Sequence, residues 1–183
     1  MRLVQTISLF TATIATGLMA GLFYSFSIAV MPALHKSSDR TFVEAMQRIN
    51  VAILNGWFML CFIGALLLLI LATAVSFRGS GRAALPWIIA ALVLYIAMLA
   101  ITSGVNVPLN NDLNAAGNPD HISNLAAVRH HFESRWNTWN VVRTVVNTAA
   151  FVLLGWALVV QSRAQHTNNA ADTIRPAAYA VMS

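Results

Sequence analysis

The chain reads as an all-α protein, a four-helix transmembrane bundle. Four apolar runs, at 3–31, 57–77, 83–105 and 141–160, each reach the ~20 residues a helix needs to cross a bilayer. Charge is almost absent from them, Arg143 near the start of the fourth being the exception. Of 183 residues, 58% are hydrophobic and 9% charged, which excludes an ordinary soluble domain and a disordered chain alike. One membrane domain is expected over 1–165, followed by a polar, flexible tail over 166–183.

The first run is too long for the ~7–15-residue core of a signal peptide and has no clear cleavage site, so it reads as a retained span. It is expected to stop at Met31-Pro32, where proline interrupts the helix. In the polar segment that follows, Ser38-Asp39 can cap a helix, and Phe42, Met46, Ile49 and Ile53 repeat at helical spacing. That predicts a short amphipathic helix feeding the second span. Arg78-Gly-Ser-Gly-Arg82 reads as a tight turn into the third span, which is expected to end near Asn106 to Asn110, around Pro108. After a polar loop at 111–124, a helix starts between Asn118 and Asn124 and runs unbroken into the fourth span. An even number of antiparallel spans puts both long polar segments, with their short helices, on one face.

The net charge of +5 would suggest nucleic acid in a soluble protein. Here the basic residues flank apolar spans, so anionic headgroups and membrane topology account for them, and no nucleic-acid partner is expected. Basic residues divide almost evenly between the two faces, so the short 78–82 turn with Arg78 and Arg82 weighs most. It favours both termini cytoplasmic and both long polar segments outside, and the membrane expected is a bacterial inner membrane. Cys61, the only cysteine, forms no intrachain disulfide.

The sharpest constellation is Arg129, Glu133, Trp136, Asn140, Arg143 and Asn147. Steps of four and three place all six within about 80° of one helix face. The stripe runs from outside the bilayer into it. Arg143 is its costly member, because intramembrane charges face a bundle interior or a wet cavity and take a partner. The expected partner is Glu133 or a ligand anion, while Arg129 and Glu133, four apart, can also pair with each other. The competing reading has Arg143 snorkelling to the interface and the Asn residues bonding neighbouring helices.

Asn106 and Asn110 bracket Pro108, and Asn50 and Asn55 stand at the entrance to the second span. They serve either as helix-end caps or as uncharged donors aimed at a ligand. Trp57, Trp87, Trp139 and Trp156 suit interfacial anchoring. Trp136 lies on the stripe, where it can stack on a planar ligand. Gly17-x-x-x-Gly21 permits close helix approach, within the bundle or in a homo-oligomer, and Tyr24 on nearly the same face can turn its hydroxyl inward. The five histidines show no metal-ligand spacing, so no metal is expected. His131 and Glu133, just above the stripe, are the candidate proton acceptors.

These residues together resemble the anthrone oxygenase-like family of small four-span membrane proteins. The matching stretches are Met31-Pro-Ala-Leu34, Ala45-Met-Gln-Arg-Ile-Asn50 with Asn55-x-x-Phe58, Val105-Asn-Val-Pro-Leu-Asn110, and Trp136-x-x-Trp-Asn140-x-x-Arg143. The resemblance covers roughly 15–160. Gly56 stands where the family prefers Pro, and Ala33 where it often has Gly. The resemblance implies oxidation of an anthrone to an anthraquinone by molecular oxygen, without a redox cofactor. On this chain it implies that Arg143, Asn140, Asn106 and Asn110 hold an oxyanion, that Trp136 stacks on the ring, and that Glu133 or His131 is the base. Asn50, Asn55, Arg129 and Tyr24 complete the candidate substrate contacts.

Three function classes follow. One is an oxygenase or oxidase of a planar phenolic or quinone-like molecule. The second is a non-catalytic membrane module that binds a lipophilic ligand, a quinone or a partner helix. The third, a transporter, is disfavoured by four spans with no internal repeat.

Overall fold

The computed structural model describes residues 2–181, which are helical in four stretches long and apolar enough to cross a membrane: Leu3–His35, Gly56–Val75, Leu85–Ala115 and Leu125–Thr167. No strand occurs among the described residues. The chain is an integral membrane protein built as an all-α bundle. Helix α1 (Arg2–Ser25) packs against α4 (Gly56–Val75) and α7 (Leu125–Val181), while α5 (Leu85–Ile101) packs mainly against α7. The buried faces are narrow and rich in small residues, such as Ala12 and Ala15 on α1, Ala65 and Ala72 on α4, Ala91 on α5, and Ala150 and Ala157 on α7. Large aliphatic groups such as Leu60, Leu67, Val93 and Ile96 point outward. That inversion suits lipid, where helix association depends on close packing rather than on hiding apolar surface.

Neither proline ends its span. Both helices continue, as α2 (Met31–His35) and α6 (Val107–Ala115). Proline in a helix lacks its N–H and clashes with the carbonyl four residues back. The chain absorbs this by widening into a π-turn at Phe26–Val30 before Pro32 and at Thr102–Asn106 before Pro108. Met31 N–H donates to Phe26 O, and Val107 N–H to Thr102 O, each five residues back. Extra residues in these turns rotate Ser27, Thr102 and Asn106 relative to a regular helix.

The two polar segments meet on one face. Helix α3 (Asp39–Ala52) starts where Ser38 Oγ accepts from Thr41 N–H. It buries Phe42, Val43 and Met46 against Leu109, Leu113, Phe132 and Trp136. Gln47 Nε2 donates to Leu113 O at 2.8 Å and to Gly117 O at 2.9 Å. Gly117 has φ +84°, a conformation that suits glycine after a helix end. Asp120, in the short 3₁₀ turn Pro119–His121, pairs with Arg40, whose hydrogen bond holds the carboxyl below its ordinary pKa. Asn124 Oδ1 accepts from Ala127 N–H and starts α7.

At the opposite end Gln5 Nε2 donates to Val75 O at 2.6 Å and to Arg78 O at 2.9 Å, closing the turn between α4 and α5. Helix α7 runs on to Val181, past the expected boundary at 165, while Met182 and Ser183 of the expected tail lie outside the described residues. Gly17 is used inside the bundle. A Cβ there would meet the Phe151 ring at 2.8 Å, whereas one on Gly21 would meet nothing within 4 Å. Gly17→Val should therefore cost about 1–3 kcal/mol by overpacking the α1–α7 contact. Gly21→Val should stay near neutral. Denaturation of the two variants in detergent, side by side, measures the difference; equal midpoints would mean that α1 and α7 do not meet at Gly17.

Candidate functional site

The stripe on α7 turns inward along its length. Trp136, Asn140, Arg143 and Asn147 are all buried. Beside three of them lies a cavity of about 230 Å³, bounded by α1, α4, the π-turn after α5, and α7, and roofed by α3. Most of its wall is apolar, with Phe23 and Phe26 from the first span, Ile49 and Ile53 from the roof, and Phe58 and Phe62 from α4. Its polar lining is Asn50, Thr102, Asn106, Asn110, Asn140 and Arg143. An apolar enclosure with a few convergent polar groups is the usual form of a small-molecule site, and this volume suits a ligand below drug size.

Arg143 does not pair with Glu133. Its Nη2 donates to Asn140 Oδ1 at 2.8 Å and its Nη1 reaches Thr102 Oγ1 at 3.5 Å. The guanidinium carbon lies 4.6 Å from the Phe23 ring centre and 5.4 Å from that of Trp136. Desolvated contacts of this kind contribute about 2 kcal/mol each. The Nε–H is buried without an acceptor. The reason Glu133 fails as partner is length: ten residues of helix span about 15 Å, beyond the reach of both side chains.

Neighbouring groups hold this cation in place. Asn140 Nδ2 donates to Phe23 O at 3.1 Å and to Ser27 Oγ at 2.9 Å, and Ser27 in turn bonds Thr144. Trp136 Nε1 donates to Asn110 Oδ1 at 2.8 Å. Asn106 Nδ2 donates to Trp136 O at 3.3 Å, leaving Asn106 Oδ1 buried and unpartnered. Asn50 Nδ2 reaches Asn114 Oδ1 at 3.4 Å. The cavity wall thus carries one cation and no carboxylate, and two polar atoms of its residues, Arg143 Nε and Asn106 Oδ1, are buried without partners.

The other sequence candidates lie elsewhere. Glu133 and Arg129 form a clamp above the cavity. Arg129 Nε donates to Glu133 Oε2 at 2.6 Å, Nη1 to Asp39 Oδ1 and Ser37 O, and Nη2 to His35 O at 2.7 Å. His35 Nδ1 lies 2.7 Å from Glu133 Oε1, and the Arg129 guanidinium covers the Phe42 ring. This network fastens the α2–α3 corner to α7. His131 is exposed on another face of α7, beside a surface groove with Leu109 and Phe132. Asn55 is exposed and caps α4, its Oδ1 accepting from Phe58 N–H. Tyr24 is 53% exposed on the outer surface of α1 instead of facing the bundle. Among the described residues no three His, Cys, Asp or Glu side chains converge as a metal site would require.

Ser27, Thr102 and Phe23 are site residues that sequence reasoning missed. The available signal was the position of Ser27 and Thr102, five and six residues before a proline, where a helix must deform. Removing the clamp tests its structural role. Arg129→Ala should cost about 2–3 kcal/mol, because Glu133, Asp39, Ser37 and His35 all lose a partly buried charge-assisted donor. Arg48→Ala, which breaks only the exposed i,i+4 pair with Glu44, should stay within about 0.5 kcal/mol. Unfolding midpoints in detergent decide it, and equal losses would remove the clamp from the account.

Comparison with known proteins bears on this geometry. The family model described as anthrone oxygenase matches residues 57–153, which takes in α4, α5, both sides of the Pro108 turn and the whole α7 stripe. It leaves out α1 and α3, which the sequence resemblance had included. No curated protein and no solved structure matches the chain. The match covers just over half of the 183 residues, and the chain belongs to the anthrone oxygenase family.

Proposed function

We propose that the cavity is the active site of an oxygenase that converts a planar, anthrone-like aromatic ketone into the corresponding quinone with molecular oxygen. The observation that carries this reading is Arg143: a guanidinium inside a membrane bundle, with no acid in the cavity wall and a buried Nε–H that has no acceptor. Such a charge is costly in hydrocarbon unless something negative meets it. An oxyanion on the substrate is that partner.

The chemistry follows from the substrate. Loss of a proton from the ring methylene turns an anthrone into an aromatic anthrolate, whose charge sits largely on oxygen. Arg143 and the second amide hydrogen of Asn106 lower the cost of that charge, as preorganised donors do for any developing oxyanion, while Asn140, its amide hydrogens taken by Phe23 O and Ser27 Oγ, holds the guanidinium in place. The anthrolate carbon is electron-rich enough to reduce oxygen itself. A C–O bond forms, giving a hydroperoxide; loss of water then leaves the quinone. One O₂ is consumed, one oxygen atom enters the product and the other leaves as water. The electrons come from the substrate, so this route calls for no redox cofactor.

No carboxylate or imidazole lines the cavity, and Glu133 is held by Arg129 and His35. In this reading the proton passes to water, and Arg143 makes the step accessible by acidifying the bound substrate. Glu133 positions the roof instead of acting as base. The same observation favours a second reading, a non-catalytic module that binds a lipophilic planar ligand, since binding needs no base.

Oxygen uptake by the purified protein with anthrone separates the two. Arg143→Ala should lower turnover by about 10²–10³-fold, the usual loss when an oxyanion donor is removed. Glu133→Gln should remain within a few-fold of the parent. Full turnover in Arg143→Ala would defeat the proposal. Uptake no faster than the spontaneous rate, with anthraquinone still bound, would establish the binding module.

A further inference from the structure

We infer that the cavity is loaded sideways from the bilayer, through an opening between α4 and the α5–α6 junction, and so accepts uncharged, membrane-dissolved molecules. This rests on the cavity being the substrate site. Most residues lining the cavity are buried or half-buried, but three are exposed: Leu54 at 69%, Met59 at 41% and Val107 at 41%. These three frame the mouth, and all are apolar.

The mouth lies at the level of the membrane. Exposed residues of α3 are polar as far as Arg48, and the large exposed side chains that follow, Val51, Leu54 and Trp57, are apolar, with Asn55 among them spent on capping α4. Trp57, 81% exposed, has the amphipathic ring that favours the headgroup boundary. Three such groups beside one opening would be costly against water and are stable against lipid. On the other rim Val107 follows the π-turn, and polar Asn111 and Asp112 begin one turn further out.

The route from water is covered. Ile49 and Asn50 of α3, with Ile53 just past its end, lie across the top of the cavity. Gln47 ties that helix to Leu113 and Gly117, and the Arg129 clamp ties its N-terminal corner to α7. Deeper in the membrane the α4–α5 seam is closed by Tyr95 Oη donating to Phe62 O at 2.8 Å. The gap between that latch and the α3–α4 corner is therefore the cavity's open side. A neutral ketone entering there meets Arg143 only after leaving water, so its charge develops inside.

Stopped-flow quenching of the protein's tryptophan fluorescence in liposomes tests the route. The probes are anthraquinone, which partitions into lipid, and a sulfonated anthraquinone, which stays in water. Anthraquinone should bind, while the sulfonate should bind at least about tenfold more slowly at equal aqueous concentration. Val107→Phe with Leu54→Phe, which narrows the mouth, should slow association and dissociation of anthraquinone about tenfold and leave its Kd within about threefold. The unchanged Kd shows that the variant is folded. Unaltered rates in the variant, or equal rates for the two probes, would overturn the lateral route while leaving the site in place. Binding of neither probe would remove the site itself, and the proposed function with it.

Discussion

The guanidinium of Arg143 is the constraint around which this bundle is organised. A charge in hydrocarbon must be held by polar groups, and those groups must themselves be satisfied without water. The chain meets the demand in layers. Asn140 and Thr102 accept from Arg143, and the Phe23 and Trp136 rings flank it. Asn140 is then fixed by Phe23 O and Ser27, and Trp136 by Asn110. Each layer engages a different helix, so one charge on α7 draws the first and third spans into register. What the layers leave over, an Nε–H and the Asn106 carbonyl oxygen, is buried without a partner in the wall of a ligand-sized space.

The two prolines supply part of that geometry. Pro32 and Pro108 each follow a π-turn at the same offset, so the deformation is the same physical event in two places. A regular helix would aim its side chains along a fixed 100° progression. The extra residue breaks that progression where Ser27, Thr102 and Asn106 must approach Arg143 and its neighbours. Because each helix continues past its proline, α2 and α6 also carry chain above the membrane, where α3 and the Arg129 clamp close the roof.

A second network, separate from the first, secures that roof. Arg129 and Glu133 share one face of α7 with Arg143 but sit nearly four and nearly three turns away, where they meet Asp39 and His35 in a partly wet environment. The stripe is therefore two devices on one face. Its outer part is an ion-pair clamp and its inner part lines the cavity. Sequence spacing shows only that the residues are aligned, so it cannot say where along the helix the function changes.

Much of the fold was legible in the chain. Apolar run length determined four spans, because bilayer thickness sets helix length. Their even number put both polar segments on one face, and periodicity on α7 determined which side chains turn inward. Tertiary structure decided the rest, because it depends on distances between helices. Glu133 is taken by Arg129 and His35, beyond reach of Arg143, and Tyr24 faces outward. Asn55 ends its part as a cap, while Thr102 and Ser27 join the site only through π-turns. Sequence patterns are one-dimensional and report the face a residue occupies; which groups meet across the bundle is set by helix packing and by how each proline is accommodated.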